Sequence, residues 1–182
     1  MASSDVDQAV NLLKQGGVIA HATEGVWGLA CDPWNEKAVN RILTLKKRSI
    51  DLGLIVIGAE PSMFNEELVA LSPVVQQRVV ARWPGHVTWI LPSKRFPDWV
   101  TGNRTSVGAR VPGHKQARTL TRLFGKPIIS TSANVSGSEP AVTMEEVCRE
   151  FGHLVDFVVP GKIGSAAGPS RILDALNEDT IR

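Results

Sequence analysis

Seven short apolar runs recur along the chain: VIAHA, LIVI, HVTWIL, TSVGARV, PIIS, LVDFVV and SRILDA. Each has the length of a β-strand and is too short for a helix. Between most of them lie segments with helical spacing. Val6, Ala9, Val10 and Leu13 share one helical face, which Ser3 or Ser4 can cap and Gly16-Gly17 can end. Asn35 can cap a helix with Ala38, Val39, Ile42 and Leu43 turned inward, and Ser72-Pro73 can start one that runs to Trp83. A further helix is read from about His114 to Phe124. Thr143 and Glu146 form a T-x-x-E capping box for a helix ending near Gly152. Strands interspersed with helices predict an α/β fold. No helix is read between HVTWIL and TSVGARV, so the sheet is expected to be mixed, twisted and flanked by helices. With 182 residues and no long linker, residues 1–182 are expected to form one domain.

What is missing narrows the function. No apolar stretch approaches the roughly 20 residues needed to cross a bilayer. The start, MASSDVDQAVNLLKQGG, lacks the basic and apolar regions of a signal peptide, which predicts a cytoplasmic protein without a membrane partner. Cys31 and Cys148 are too few for a disulfide framework or a four-cysteine zinc site. Asn103-Arg-Thr and Asn134-Val-Ser match the glycosylation sequon but lack a secretory context. There is no P-loop, no G-x-G-x-x-G, no HExxH and no G-x-S-x-G. His21, His86, His114 and His153 have no ligand spacing, so no metal site is read. The net charge is only +2, yet eight Lys or Arg and one acid lie between Lys94 and Lys126. Such a segment can build a basic face for phosphates, or its charges can be balanced in three dimensions.

Four stretches could carry chemistry. In TEGVWGLACD, Thr23 and Glu24 leave a strand end, where α/β sheets present ligand-binding groups, or they sit on a plain turn. In KKRS, Lys46 and Arg48 would project to one side of an extended backbone and could hold a triphosphate. A helix C-terminus attracts the same basic residues for its dipole alone. Alternation in TSVGARVP turns Val107, Ala109 and Val111 to the core and Ser106, Gly108 and Arg110 to the other face, facing either a ligand or solvent. In STSANVSG, Ser130, Thr131, Ser132 and Asn134 supply short hydroxyl and amide groups that could wrap a charged ligand or merely form a turn.

Together and in this order, ATEGVWGLACD, LKKRSIDLGLIV, RWPGHVTWILP, VGARVP, KPIISTSANVSG and GPSRILDA resemble the YrdC-like family, specifically its single-domain threonylcarbamoyl-AMP synthases. The likeness covers nearly the whole chain. It implies a twisted α/β sheet with a basic concave face. It also implies an ATP-using reaction, with Mg²⁺, in which L-threonine, bicarbonate and ATP give L-threonylcarbamoyladenylate and pyrophosphate. The product would pass to a separate transfer complex that modifies adenosine 37 of tRNAs reading codons that begin with A. The family's K-x-R…S-x-N signature falls on Lys46, Arg48, Ser132 and Asn134, the implied catalytic set. Thr23, Arg110, Ser132 and Ser170 match threonine positions; Lys46, Arg48, Ser106, Asn134, Thr143 and Arg182 match ATP positions. This chain departs from the pattern at Ala22, Ser49, Leu52 and Arg171, where relatives usually carry Pro, Pro, a polar residue and Thr. Another reading is a double-stranded RNA-binding or ribosome-maturation factor using the basic face, although no aromatic-rich platform accompanies it. A carbamoyl-transfer domain of hydrogenase maturation proteins is set aside, because those chains carry further cysteine-rich modules.

Overall fold

A computed structural model describes residues 3–177 and 179–181. Among them an eight-stranded mixed sheet has the order β7-β1-β2-β6-β3-β5-β4-β8. Its strands are β1 (Ile19–Ala22), β2 (Trp27–Cys31), β3 (Ile55–Ile57), β4 (Val87–Pro92), β5 (Ser106–Arg110), β6 (Ile128–Ser132), β7 (Phe157–Val158) and β8 (Arg171–Asp174). The helices are α1 (Ser3–Lys14), α2 (Glu36–Leu45), α3 (Asn65–Val69), α4 (Pro73–Ala81), α5 (Asp98–Thr101), α6 (Lys115–Phe124) and α7 (Met144–Phe151). The pairs β1/β7, β3/β5 and β4/β8 are parallel and the other four are antiparallel, so the expected mixed sheet is present.

Side chains alternate across the strands, and this divides the molecule into two layers. Ala20, Ala22, Trp27, Leu29, Val56, Trp89, Leu91, Val107, Ala109 and Ile129 face one side and form the larger core. Ala38, Val39, Ile42 and Leu43 of α2 pack there, as does Val147 of α7. On the opposite side, Ile19, Ala30, Ile57 and Ile128 are covered by Val6, Ala9, Val10 and Leu13 of α1 and by Ala117, Leu120 and Phe124 of α6. That helix pair leaves the rest of this sheet face bare, and the bare area is where a ligand can sit.

Local caps follow the sequence. Asn35 accepts from Ala38 N, Ser72 accepts from Val75 N, and the Thr143–Glu146 capping box is complete. The expected cap at Ser3 or Ser4 rests on side chains outside the described residues. Several elements differ from expectation. WGLAC, read as loop, is β2, joined to β1 by the tight turn Thr23–Val26. LVDFVV contributes only Phe157 and Val158 to the sheet. One turn of helix, α5, lies between β4 and β5. Most consequential is LKKRS. Lys46 closes α2 with helical angles, φ −85° and ψ −7°, and Lys47 has φ 48°, so the extended backbone expected for this segment is absent.

The β1–β2 turn is clamped in place. Gly164 N donates to Thr23 O and Ala166 N to Glu24 O, each within 3.1 Å. A Cβ on Gly25 would collide with the Gly168 carbonyl oxygen, so only glycine permits this approach.

Candidate active site

Between the bare strands and the loops above them lies a cavity of about 450 Å³. This is within the usual range for small-molecule sites, roughly 300–1,000 Å³. Ser106, Gly108 and Arg110 of β5 line it, Val107 touches it from the core, and Ala109 and Val111 are buried in the core behind. The alternation in TSVGARVP therefore serves a pocket, and Arg110 is 6% exposed rather than facing solvent. Its Nε donates to Gly85 O at 3.0 Å and its Nη2 pairs with Glu24. Glu24 Oε1 also accepts from Gly113 N at 2.6 Å. Burial draws the guanidinium below its ordinary pKa, against the opposing pull of Glu24.

Six of the ten expected site residues line this one cavity: Thr23, Arg48, Ser106, Arg110, Ser132 and Ser170. They come from five separate segments of the chain. Ser170 is fixed by a 2.8 Å hydrogen bond with Thr88 on β4. Arg48 donates from Nη2 to Gly53 O at 3.0 Å, which holds the side chain along the cavity edge. Ser49 stands where relatives usually have Pro, and its hydroxyl caps the 3₁₀ turn Ile50–Leu52 by accepting from Asp51 N. Leu52 is 56% exposed at the cavity rim, an apolar group where relatives usually have a polar one.

Lys46 and Asn134 are brought together, but behind the cavity wall rather than in it. Lys46 is only 2% exposed. Its Nζ donates to the carbonyl oxygen of Ser132, to Asn134 O at 3.0 Å and to Asn134 Oδ1 at 3.1 Å. An ammonium has three donors, and these are three acceptors for them. Ser136 N also donates to Lys46 O at 2.8 Å, so the loop after β6 is tied to the end of α2 by main chain and side chain alike. The helical ending of α2 thus points the Lys46 side chain inward, toward the loop after β6.

Thr143 is occupied in the α7 capping box and is absent from the cavity lining. Thr143→Ala is expected to cost about 1 kcal/mol, the usual loss of a cap, and to leave the KM for ATP unchanged. A melting curve and an ATP titration check this, and a raised KM would return Thr143 to the nucleotide. Arg182 lies outside the described residues.

No sequence pattern points to Arg104, which lies in the glycosylation sequon Asn103-Arg-Thr. It lines the cavity, is exposed, and its Nη1 is 3.3 Å from where a Gly53 Cβ would stand. Arg48, Arg104 and Arg110 therefore share a cavity that no acidic residue lines among the described residues. Elsewhere the basic segment is partly neutralised: Arg95 pairs with Glu67 at 2.9 Å and Lys126 with Asp32 at 3.0 Å. Among the described residues no three His, Cys, Asp or Glu gather to hold a metal ion, and no helix is long and apolar enough to cross a membrane.

Residues 11–182 match the Sua5/YciO/YrdC family, described as telomere recombination. The chain is 42% identical over 178 residues to a threonylcarbamoyl-AMP synthase of Cellvibrio japonicus (strain Ueda107), covering 97% of this chain and 94% of that protein. It is 44% identical over 182 residues to one of Vibrio vulnificus (strain YJ016), covering 98% of each. The crystal structure of P. abyssi Sua5 complexed with L-threonine matches with a TM-score of 0.85 and 30% identity, over 93% of this chain and 50% of that one. The chain therefore spans about half the length of that protein. E. coli YciO matches with a TM-score of 0.83 and 25% identity, over 97% of this chain and 86% of that one.

Proposed function

As a member of the Sua5/YciO/YrdC family the chain is a threonylcarbamoyl-AMP synthase, and we propose that its cavity joins L-threonine, bicarbonate and ATP into L-threonylcarbamoyladenylate and pyrophosphate. The observation that carries this reading is the meeting of Thr23, Arg48, Ser106, Arg110, Ser132 and Ser170 in one cavity free of acidic lining. Arg110 takes the threonine carboxylate, supported by its burial on the floor and its rigid hold by Gly85. Binding shares the guanidinium with Glu24 or draws it away. Arg48 and Arg104 receive the ATP phosphates at the rim, Ser106 contacts the nucleotide, and Ser170 and Thr23 border the amino acid.

The threonine ammonium gives a proton to solvent. The free amine attacks the carbon of bicarbonate, whose C–OH bond breaks to release water, or that of CO₂ with loss of a second proton to solvent. Either forms the C–N bond of N-carboxythreonine. An oxygen of that carbamate then attacks the α-phosphorus, and the bond to the β-phosphate oxygen breaks to release pyrophosphate. Both reactants are anions, so fixed cations at the developing charge supply most of the acceleration. Alignment and shelter from water supply the rest, since a carbamate readily loses CO₂. Magnesium does not fit as a protein-held ion, because no carboxylate lines the cavity among the described residues; it belongs to the triphosphate it arrives with. The product passes to a separate complex that completes the tRNA modification.

The test is pyrophosphate release with substrates omitted one at a time. Release is expected only with ATP, threonine and bicarbonate together, and release independent of either small substrate rejects the reading. Serine is expected to replace threonine weakly, since one methyl group discriminates by only about 1–3 kcal/mol.

A further inference from the structure

Two arginines meet at one glycine on the rim of the cavity. Arg48 donates to Gly53 O from Nε at 3.3 Å and from Nη2 at 3.0 Å. Arg104 comes to the same residue from another side. A Cβ at Gly53 would stand 3.3 Å from Arg104 Nη1 and 3.1 Å from Thr101 O, and Gly53 has φ 64°, so glycine is required there. The frame around them is stiff. Leu54 N donates to Val100 O at 2.8 Å, and a Cβ on Gly102 would stand 2.7 Å from Asp51 O. The helix α5 and the Ile50–Leu52 turn are therefore pressed together along their backbones.

Two groups in this corner lack a partner. Arg104 is exposed and makes no hydrogen bond or ion pair among the described residues. Thr101 lines the cavity at 3% exposure, yet its Oγ1 is buried without a hydrogen-bond partner. A buried hydroxyl in that state gains from any acceptor that reaches it. The nearby Asp51 carboxylate does not answer Arg104. It is turned to the Ser49 hydroxyl at 3.1 Å and does not line the cavity. Leu52 adds only an apolar side chain, so among the described residues the cations of this rim are Arg48 and Arg104.

We propose that Arg104 and Thr101 join Arg48 in holding the β- and γ-phosphates of ATP and the pyrophosphate that leaves. The inference rests on the function proposed above and says which half of the nucleotide this corner takes. The strand β5 runs extended from Ser106 to Arg110, about 13 Å at roughly 3.3 Å per residue, and Arg104 precedes its start. Threonine held by Arg110 therefore presents its carbamate at the end of the cavity far from Arg104. In phosphate transfer the attacking and leaving oxygens lie roughly in line through phosphorus. A nucleophile arriving from the Arg110 end thus expels its leaving group toward Arg48 and Arg104. As the bond from the α-phosphorus breaks, its electron pair stays on the bridging oxygen and negative charge grows on the β-phosphate. A guanidinium fork and a hydroxyl donor both suit that charge.

The test is calorimetric binding, without turnover, of pyrophosphate with magnesium and of AMP, the leaving and staying halves of ATP. Arg104→Ala is expected to weaken pyrophosphate binding about tenfold, the order of a hydrogen bond to a charged group, while AMP stays within about twofold of wild type. In the same variant the KM for ATP should rise and kcat should fall, and Arg104→Lys should restore part of both. Thr101→Val removes the hydroxyl without changing charge and is expected to weaken pyrophosphate about fivefold. Thr101→Ser, which keeps the hydroxyl, should bind pyrophosphate like wild type. Equal losses for pyrophosphate and AMP, or unchanged pyrophosphate affinity in Arg104→Ala or Thr101→Val, would overturn the proposal. So would a Thr101→Ser variant as weak as Thr101→Val. Should Thr101→Val fail to fold, the Arg104 variants decide by the same comparison of ligands. A wild-type protein that binds pyrophosphate through Arg104 yet releases none from ATP, threonine and bicarbonate rejects the proposed function, which is a different outcome.

Discussion

Lys46→Ala is expected to lower pyrophosphate release by more than about 100-fold and to destabilise the fold as well. The substitution strips donors from the Ser132 and Asn134 carbonyls and from Asn134 Oδ1 at the buried junction of α2 with the β6 loop. Each buried acceptor left unsatisfied costs about 1–3 kcal/mol. A total loss near 3 kcal/mol corresponds to a Tm lowered by about 10 °C for a chain of this size. Lys46→Arg is expected to rescue little, since a planar fork cannot direct donors to three carbonyl-type oxygens grouped around one point. Thermal denaturation with pyrophosphate release on the same samples checks both halves. A variant that melts like wild type would show that Lys46 is not a structural cation.

Arg48→Ala is expected to produce the activity loss without the stability loss. Its guanidinium hydrogen-bonds to the Gly53 and Leu52 carbonyls in the cavity rim, and it is only half-buried. Removing a charge-stabilising donor from a phosphoryl site costs about 10²–10³ in rate. The drop in kcat/KM for ATP should reach that range while the Tm moves by less than about 3 °C. Arg48→Lys should recover part of the activity, as a point charge that cannot hold both Gly53 and a phosphate oxygen at once. If Lys46→Ala and Arg48→Ala instead shift Tm equally, the division between an internal brace and a ligand contact fails.

The inward turn of Lys46 was hidden in the sequence for a physical reason. Two bases separated by one residue look like a pair on extended backbone, and nothing local says otherwise. LKKRS has no glycine to mark the left-handed turn that Lys47 adopts at φ 48°. The partners that draw Lys46 inward are 86 and 88 residues away, beyond any local pattern. By contrast, the β5 alternation was legible, because period two places Ser106, Gly108 and Arg110 on one face whatever the rest of the chain does. The Asn35, Ser72 and Thr143 caps were legible for the same reason, being local hydrogen bonds.

The β2 strand was missed because Gly25 and Gly28 look like loop residues. Yet Trp27, Leu29 and Cys31 do alternate, and all three are fully buried. The T-x-x-E spacing pointed to the Thr143–Glu146 cap that the structure contains. Arg104 had no signal at all. An exposed arginine in a short connection becomes a candidate phosphate ligand only after β5 and the Leu52–Gly53 turn are placed beside it.

The parallel pairing of β8 with β4 brings Pro169, Ser170, Ile172 and Ile181 to the cavity, although its floor is laid by β2, β3, β5 and β6 much earlier in the chain. A polypeptide still emerging from the ribosome can therefore assemble the floor and both helical layers while that last wall is missing. Translation products that stop before Pro169 should therefore fold in part yet consume no ATP.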